Sequence, residues 1–467
     1  MNKLYASRFG MLAGALALGA CAVGPDYRAP ETPPAEFTEA DGAGVAEQPF
    51  EAAWWEQFGD PTLDDLIDRA LAGDLDLKIA AARVQESRAL LGAARRVRWP
   101  ASVASADRNY AKGPQPEFGI DDRVETESYS AGLNTIWELD LFGRVRRGVQ
   151  AASADAEAAQ ANLRDAQVLV ASEVARTYLE LRGAQKRLAV ARANRDNQRE
   201  TLELTRVRLD LGRGSELDVA SAAARLAATE ATIPPLSAIE TVAAHRLAVL
   251  LGQRPGALDD EVAPREIAPH LTTLAVGSPA DLLRRRPDVR AAERELAAAT
   301  ARIGVAKADL FPRLTIGGFI GFIAGDASGL GESANRAWSV APVLSWGGFD
   351  SGVRAKVAAA EARADGALAS YESTVLLAIE ETENAFVVYG RGRERLTSVV
   401  EQAAQSRRAA ELARVQYREG ALDFLRLLDA ERTLLQAEDE VATAETDLNT
   451  SVVGIYKALG GGWDQGA

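Results

Sequence analysis

The chain contains itself twice. Asp76–Pro100 (DLKIAAARVQESRALLGAARRVRWP) lies over Asp288–Pro312 (DVRAAERELAAATARIGVAKADLFP) without a gap, 212 positions later. Both segments open on Asp-apolar-basic, carry a glycine near the end (Gly92 and Gly304) and stop at an aromatic-Pro pair. Further on, Glu138–Ala158 matches Leu344–Ala364 at about 207 positions, and Leu211–Leu226 matches Glu419–Leu434 at 208. Solenoid repeats have periods of roughly 20–50 residues. A period near 200 therefore means two copies of one larger unit, with the same order of elements in each.

Each copy begins with a helix of about 25 residues, ended by Pro100 or Pro312 because proline cannot continue it. Alternation follows. Leu314, Ile316, Gly318, Ile320 and Phe322 face one way, with Arg313, Thr315, Gly317, Phe319 and Gly321 opposite. Trp338, Val340, Pro342, Leu344 and Trp346 form a second such row, and Tyr129, Ala131, Leu133, Thr135 and Trp137 a weaker third. Period-2 runs bounded by aromatics are a signature of barrel strands. The strands expected are near 99–110, 127–139, 312–324 and 336–347. Four strands enclose no lumen, since about eight give only a filled interior. Either the sheet belongs to a soluble domain or several chains pool their strands.

Long helices are expected at 143–210, 215–251, 351–419 and 422–459. Residues 143–210 hold no proline, and at 1.5 Å per residue reach about 100 Å. Leu163, Ala166, Val170, Val174, Tyr178 and Leu181 form an apolar line at spacings of three and four; Val353, Val357, Ala360, Ala364, Leu368, Tyr371 and Val375 form another. Such lines indicate coiled-coil packing. Pro234-Pro235 is expected to break the helix 215–251.

Cys21 is the chain's one cysteine, which excludes an internal disulfide framework. Ahead of it, Lys3 and Arg8 precede a short apolar run, Met11–Ala20, as in a secretory signal peptide. Leu18-Gly19-Ala20-Cys21 resembles the lipobox of bacterial lipoproteins. That resemblance implies cleavage after residue 20 and lipid attachment at Cys21. The absence of Asp at position 22 points to the outer membrane. Losing residues 1–20 removes Lys3 and Arg8 and no acid, so the formal charge moves from −14 to −16. An acidic chain argues against a nucleic-acid partner. No later apolar run approaches the ~20 residues of a membrane-spanning helix.

Trp54–Leu71 (WWEQFGDPTLDDLIDRAL), Ala280–Pro312 and Leu427–Glu440 (LLDAERTLLQAEDE) resemble the TolC-like outer-membrane efflux lipoproteins, the outer-membrane factors of RND-type tripartite multidrug efflux systems. The resemblance runs from the lipobox to about Gly461. It implies a mainly α fold with a small β part, and a homotrimer. Each chain would give four strands to a 12-stranded transmembrane β-barrel and its long helices to a periplasmic α-barrel. The division expected is a signal peptide 1–20, a lipidated extended segment 21–60, a first repeat 61–265, a second repeat 266–460 and a tail 461–467. The implied partners are a periplasmic adaptor, an inner-membrane RND-type pump and outer-membrane lipid. The same fold as a protein or peptide secretion duct, and a non-channel coiled-coil envelope lipoprotein, are the competing readings.

A duct needs no catalytic residue and no cofactor. Glu380–Glu383 (EETE) reads as a solvated helix face, Arg284–Pro287 (RRRP) as a helix start with Pro287 in its first turn, and His245 and His270 lack metal-ligand spacing. In the family, the tunnel closes at its periplasmic tip through aspartates and a Tyr/Arg/Asp network. Matched to this sequence, the tyrosine is Tyr417, the first-half aspartate is Asp218, and the second-half pair falls on Arg426 and Asp429. The family arginine falls on Leu422. An Asp429–Arg426 aperture with mild cation preference is expected, because three Arg426 copies would weaken or pair with an Asp429 ring. The turns Leu211–Leu217 and Glu419–Phe424 are the expected adaptor-docking points, with Gly212, Gly214 and Gly420 giving tight turns and Leu422 beside them.

Overall fold

The computed structural model describes residues 22–31, 37–40, 43–49, 52–115, 120–265 and 267–463. The signal peptide and Cys21 lie outside the described residues. The molecule is mostly helical, and its helices and strands fall into two compact units.

The first unit takes Met1–Glu31, Arg83–Gln160 and Ala291–Glu372. Its centre is an antiparallel sheet of β2 (Ala101–Gln115), β3 (Ile120–Leu139), β5 (Arg313–Ala324) and β6 (Arg336–Ser345), in that spatial order. Each repeat supplies one hairpin, and β3 pairs with β5 to join them. The register fixes the faces, because paired antiparallel residues point the same way. Leu133 pairs with Ile320 and Ile320 with Trp338; Trp137 pairs with Ile316 and Leu139 with Leu314. These residues make one apolar face. The opposite face carries Ser105, Asp107, Ser130, Asn134 and Ser339. Among the described residues nothing in the unit covers the apolar face: Trp338 is 77 % exposed, and Ile320, Val340 and Leu344 are exposed with it.

The first hairpin is longer than the sequence alternation indicates. β2 runs to Gln115 and β3 starts at Ile120, instead of ending near 110 and starting near 127. The extra rungs have no alternating apolar row: Ala111 faces Thr126, Lys112 faces Glu125 and Gly113 faces Val124. Lys112 pairs with Glu125 at 2.5 Å, and at the end of the expected strands Arg108 reaches Glu127 at 2.7 Å. Cross-strand ion pairs stabilise a ladder that a hydrophobic pattern does not register.

The second unit takes Thr32–Ala82, Ala161–Arg290 and Ser373–Ala467. It holds α1 (Pro61–Gly73), α4 (Glu216–Leu250), α5 (Pro279–Arg285) and α8 (Phe424–Ala458). The two units share α2 (Leu75–Arg96), α3 (Arg144–Asp210), α6 (Pro287–Ala308) and α7 (Ser351–Arg418). Tyr178 and Leu181 from α3, Leu247 from α4, Phe386 and Tyr389 from α7 and Leu448 from α8 are fully buried in the core. A polar network threads it. Tyr178 Oη donates to Asp60 Oδ2 at 2.6 Å, and Arg182 Nη2 donates to Tyr178 Oη at 2.7 Å. The segment expected to be extended, 21–60, contains a 3-10 turn, Trp54–Phe58, and a two-residue strand β1 (Val45–Ala46) parallel to β4 (Leu274–Ala275). Trp54 leaves the extended path to stack on Tyr456, with centroids 5.3 Å apart.

Helix α4 runs unbroken through Pro234 and Pro235. The expected break does not occur, for two reasons. The carbonyls that two prolines deprive of partners belong to Glu230 and Ala231, four residues earlier, and both residues are exposed, where water accepts the role. The next residue, Leu236, is buried against Leu188 and Ala191 of α3, which holds the helix on course.

Candidate functional site

The two long hairpins, α3–α4 and α7–α8, each turn through one left-handed glycine. Gly212 has φ +68° and Gly420 has φ +78°. In the first turn Gly212 N–H donates to Leu209 O and Arg213 N–H to Arg208 O, both at 2.8 Å; in the second, Gly420 N–H donates to Tyr417 O at 3.0 Å and Ala421 N–H to Gln416 O at 2.8 Å. This is the Schellman pattern that satisfies the last helical carbonyls. Gly214 is different. Its φ is not left-handed, and an added Cβ would lie 3.1 Å from Leu209 N. It serves close approach, not the turn.

Each returning helix is capped. Ser215 Oγ accepts from Asp218 N–H at 3.2 Å while Asp218 Oδ2 accepts from Ser215 N–H at 3.0 Å, a complete capping box. Asp423 Oδ1 accepts from Arg426 N–H at 3.0 Å. Asp218 is thus held by its own turn within the chain.

Tyr417 is buried, 4 % exposed, in a cluster with Leu202, Ala222, Ala413, Phe424 and Leu427. Its ring lies 5.7 Å from Phe424 and 4.4 Å from the Arg208 guanidinium. Arg208 Nη1 also donates to Tyr417 O at 2.5 Å. Burial pushes the Tyr417 phenol up, Arg208 opposes this, and Asp218 adds to it. Leu422 packs half-buried on the same cluster. So Leu422, the position expected to correspond to the family's arginine, sits in an apolar cluster, while the guanidinium beside Tyr417 arrives from the end of α3. Sequence matching missed Arg208. Its signal was a basic residue in the last turn of a helix.

Arg426 and Asp429 are exposed, but within the chain they do not pair with each other. Arg426 turns to Asp423 at 3.4 Å, and Asp429 to Arg432 at 2.6 Å. One turn further in, Glu431 is 3 % exposed and accepts from Arg414 Nε at 2.8 Å and Thr201 Oγ1 at 3.2 Å, joining α8 to α7 and α3. Leu211, Leu217 and Leu425 stand exposed around the turns.

The other charged motifs are structural. Arg286 is buried and reaches Asp288 at 2.7 Å, Glu381 at 2.8 Å and Ala458 O at 2.8 Å, and Pro287 opens α6. The EETE run is more than a solvated face. Glu381 serves Arg286, and Glu383 accepts the backbone N–H groups of Thr38 and Glu39 at 2.9 Å each. Among the described residues no cluster of His, Cys, Asp and Glu is arranged to hold a metal, and no helix is long and apolar enough to cross a membrane.

Comparison with known proteins agrees with this architecture. The profile of the outer membrane efflux protein family matches residues 66–253 and 279–461, one segment per repeat. Nodulation protein T of Rhizobium leguminosarum bv. trifolii is 32 % identical over 458 residues, 96 % of each chain. Outer membrane protein OprJ of Pseudomonas aeruginosa is 32 % identical over 456 residues, 97 % of this chain and 95 % of that one. The solved outer-membrane channel OprN superposes with a TM-score of 0.91 at 50 % identity, covering 95 % of this chain and all of that one. The chain is therefore a member of the outer membrane efflux protein family, whose members are TolC-like channels of the outer membrane and not enzymes.

Proposed function

We propose that three copies of this chain form one duct that conducts small molecules passively from the periplasm to the exterior, completing a tripartite pump with a periplasmic adaptor and an inner-membrane RND-type pump. One observation carries the reading: among the described residues, a four-stranded sheet with an uncovered apolar face and two unpaired edges, β2 and β6. In lipid every backbone polar group needs a partner, so such a sheet spans a membrane only when closed. Three chains of four strands close it as a 12-stranded barrel, with the apolar face to lipid and the serine-rich face to water.

The paired turns form the periplasmic aperture, shut at rest. Tyr417 and Arg208 tie the two hairpins of a chain, and Asp218, Arg426 and Asp429 line the opening. The exposed leucines at the turns dock the adaptor, which releases the tie. Lipid on Cys21 adds a second anchor.

Single-channel conductance of the purified protein in a planar bilayer tests this. Wild type passes small discrete steps with mild cation preference. Arg208→Ala and Tyr417→Ala each enlarge the steps or lengthen the open time, and the double variant adds little, as for two members of one contact. A protein that never passes current, even with Arg208 and Tyr417 both replaced, contradicts the duct. Conductance and selectivity unmoved by Arg426→Ala and Asp429→Ala contradict the aperture.

A further inference from the structure

The first described residues are not a loose tail. Val23 N–H donates to Phe142 O at 3.1 Å. The Arg147 guanidinium closes over them: Nε donates to Val23 O at 3.2 Å, and Nη2 to Gly24 O at 3.1 Å and Asp26 Oδ1 at 2.9 Å. Arg147 is only 4 % exposed, so this buried cation is held mainly by the chain's own N-terminal segment. A buried charge of this kind is costly to leave unpaired.

The fit is tight from both sides. Gly24 has φ +91°, and a Cβ there would lie 2.5 Å from Gly304 Cα. A Cβ on Gly304 would lie 2.7 Å from Arg147 Cγ and 2.9 Å from Val23 O. Tyr27 closes the far end, its hydroxyl donating to Glu293 Oε1 at 2.6 Å. At the near end Ala22 sits against Gly143, where a Cβ would fall 2.6 Å from the alanine's own.

The near end opens at the helix-side rim of the sheet. Gly143 follows β3 by four residues, and Phe142 stacks on Phe311, just before β5, at 4.7 Å. The exposed rings of Trp346 and Phe349 mark the same ends of the strands, as aromatic girdles mark a membrane interface. Cys21 is one peptide from Ala22, a Cα step of about 3.8 Å.

We propose that this slot is a positioning device for the membrane anchor. It presents the acyl chains of Cys21 to the lipid surface at the rim of the barrel, in fixed register with the apolar face. Arg147 is the positioning residue, and Gly24 and Gly304 are the close approach that admits the segment. A short tether keeps the sheet at high effective concentration beside the bilayer, and each added flexible residue dilutes it. The proposal rests on the lipoprotein reading of Cys21.

The test compares wild type, Arg147→Ala and a variant with a ten-residue Gly-Ser spacer between Cys21 and Ala22, all expressed as full chains. Intact mass reads acylation, trypsin cleavage after Arg28 reads the slot, and the yield of SDS-resistant assembly in outer membranes reads insertion. Arg147→Ala raises cleavage at least tenfold and lowers insertion at least threefold. The spacer variant keeps wild-type cleavage, because its slot is filled, yet also loses insertion threefold. Normal insertion of an acylated spacer variant overturns the proposal alone. An unacylated wild-type Cys21 overturns the lipoprotein reading and the proposal with it.

Discussion

Asp165 shows how single residues report on their surroundings. It lies on α3, and its carboxyl is pushed up to about 6, chiefly by burial, then by Asp288 of α6 and more weakly by Glu381 of α7; Arg286 and Lys457 of α8 pull the other way. The folded state therefore holds the proton more tightly than the unfolded chain. Stability falls as pH rises from about 4 through 6, and the cost is fully present above that window. Asp165→Asn removes it, so the melting temperature should rise by a few degrees at pH 7.5 and by only about a third as much at pH 4.5. An equal gain at both pH values would contradict the burial account. At this scale the sequence was least legible. Matching pointed to Tyr417 and Asp218, but the contacts of Arg208, Asp423 and Glu431 could not be read from the sequence, because each acts through a partner distant in sequence or by capping a turn. Arg286 was read as a helix start when it is also a buried hub.

Elements were far more legible. Apolar lines at spacings of three and four foretold the buried stripes of α3 and α7: Val170, Val174, Tyr178 and Leu181 are buried, as are Val353, Val357, Ala360 and Ala364. Proline and charge misled. Pro234-Pro235 does not stop α4, because packing by Leu236 and solvated carbonyls outweigh a local rule. The outer rungs of the first hairpin escaped notice because they carry no alternating apolar row, and one of them is the Lys112–Glu125 ion pair. The turns carry a sharper prediction. Gly420 has φ +78° with open space around its missing Cβ, so Gly420→Ala costs backbone strain alone, about 1 kcal/mol. Hydrogen exchange at the Ala421 amide, which closes the turn onto Gln416 O, should quicken about fivefold. Unchanged exchange would mean that the left-handed glycine does not hold the turn.

At the scale of the molecule, the duplication determines most of the organisation. Two similar halves give two strand hairpins and two helical hairpins, and the sheet they form is half satisfied: apolar on one face, with unpaired backbone along β2 and β6. The strand count was legible in the sequence, but the number of chains was not, because nothing in a period-2 pattern says where the next strand comes from. The central claim is that three chains pool their strands. Native mass spectrometry of the detergent-solubilised protein tests it directly. The predicted result is a particle of three chains. A stable monomer or dimer would contradict the account, since four strands close no barrel and eight leave no aqueous bore.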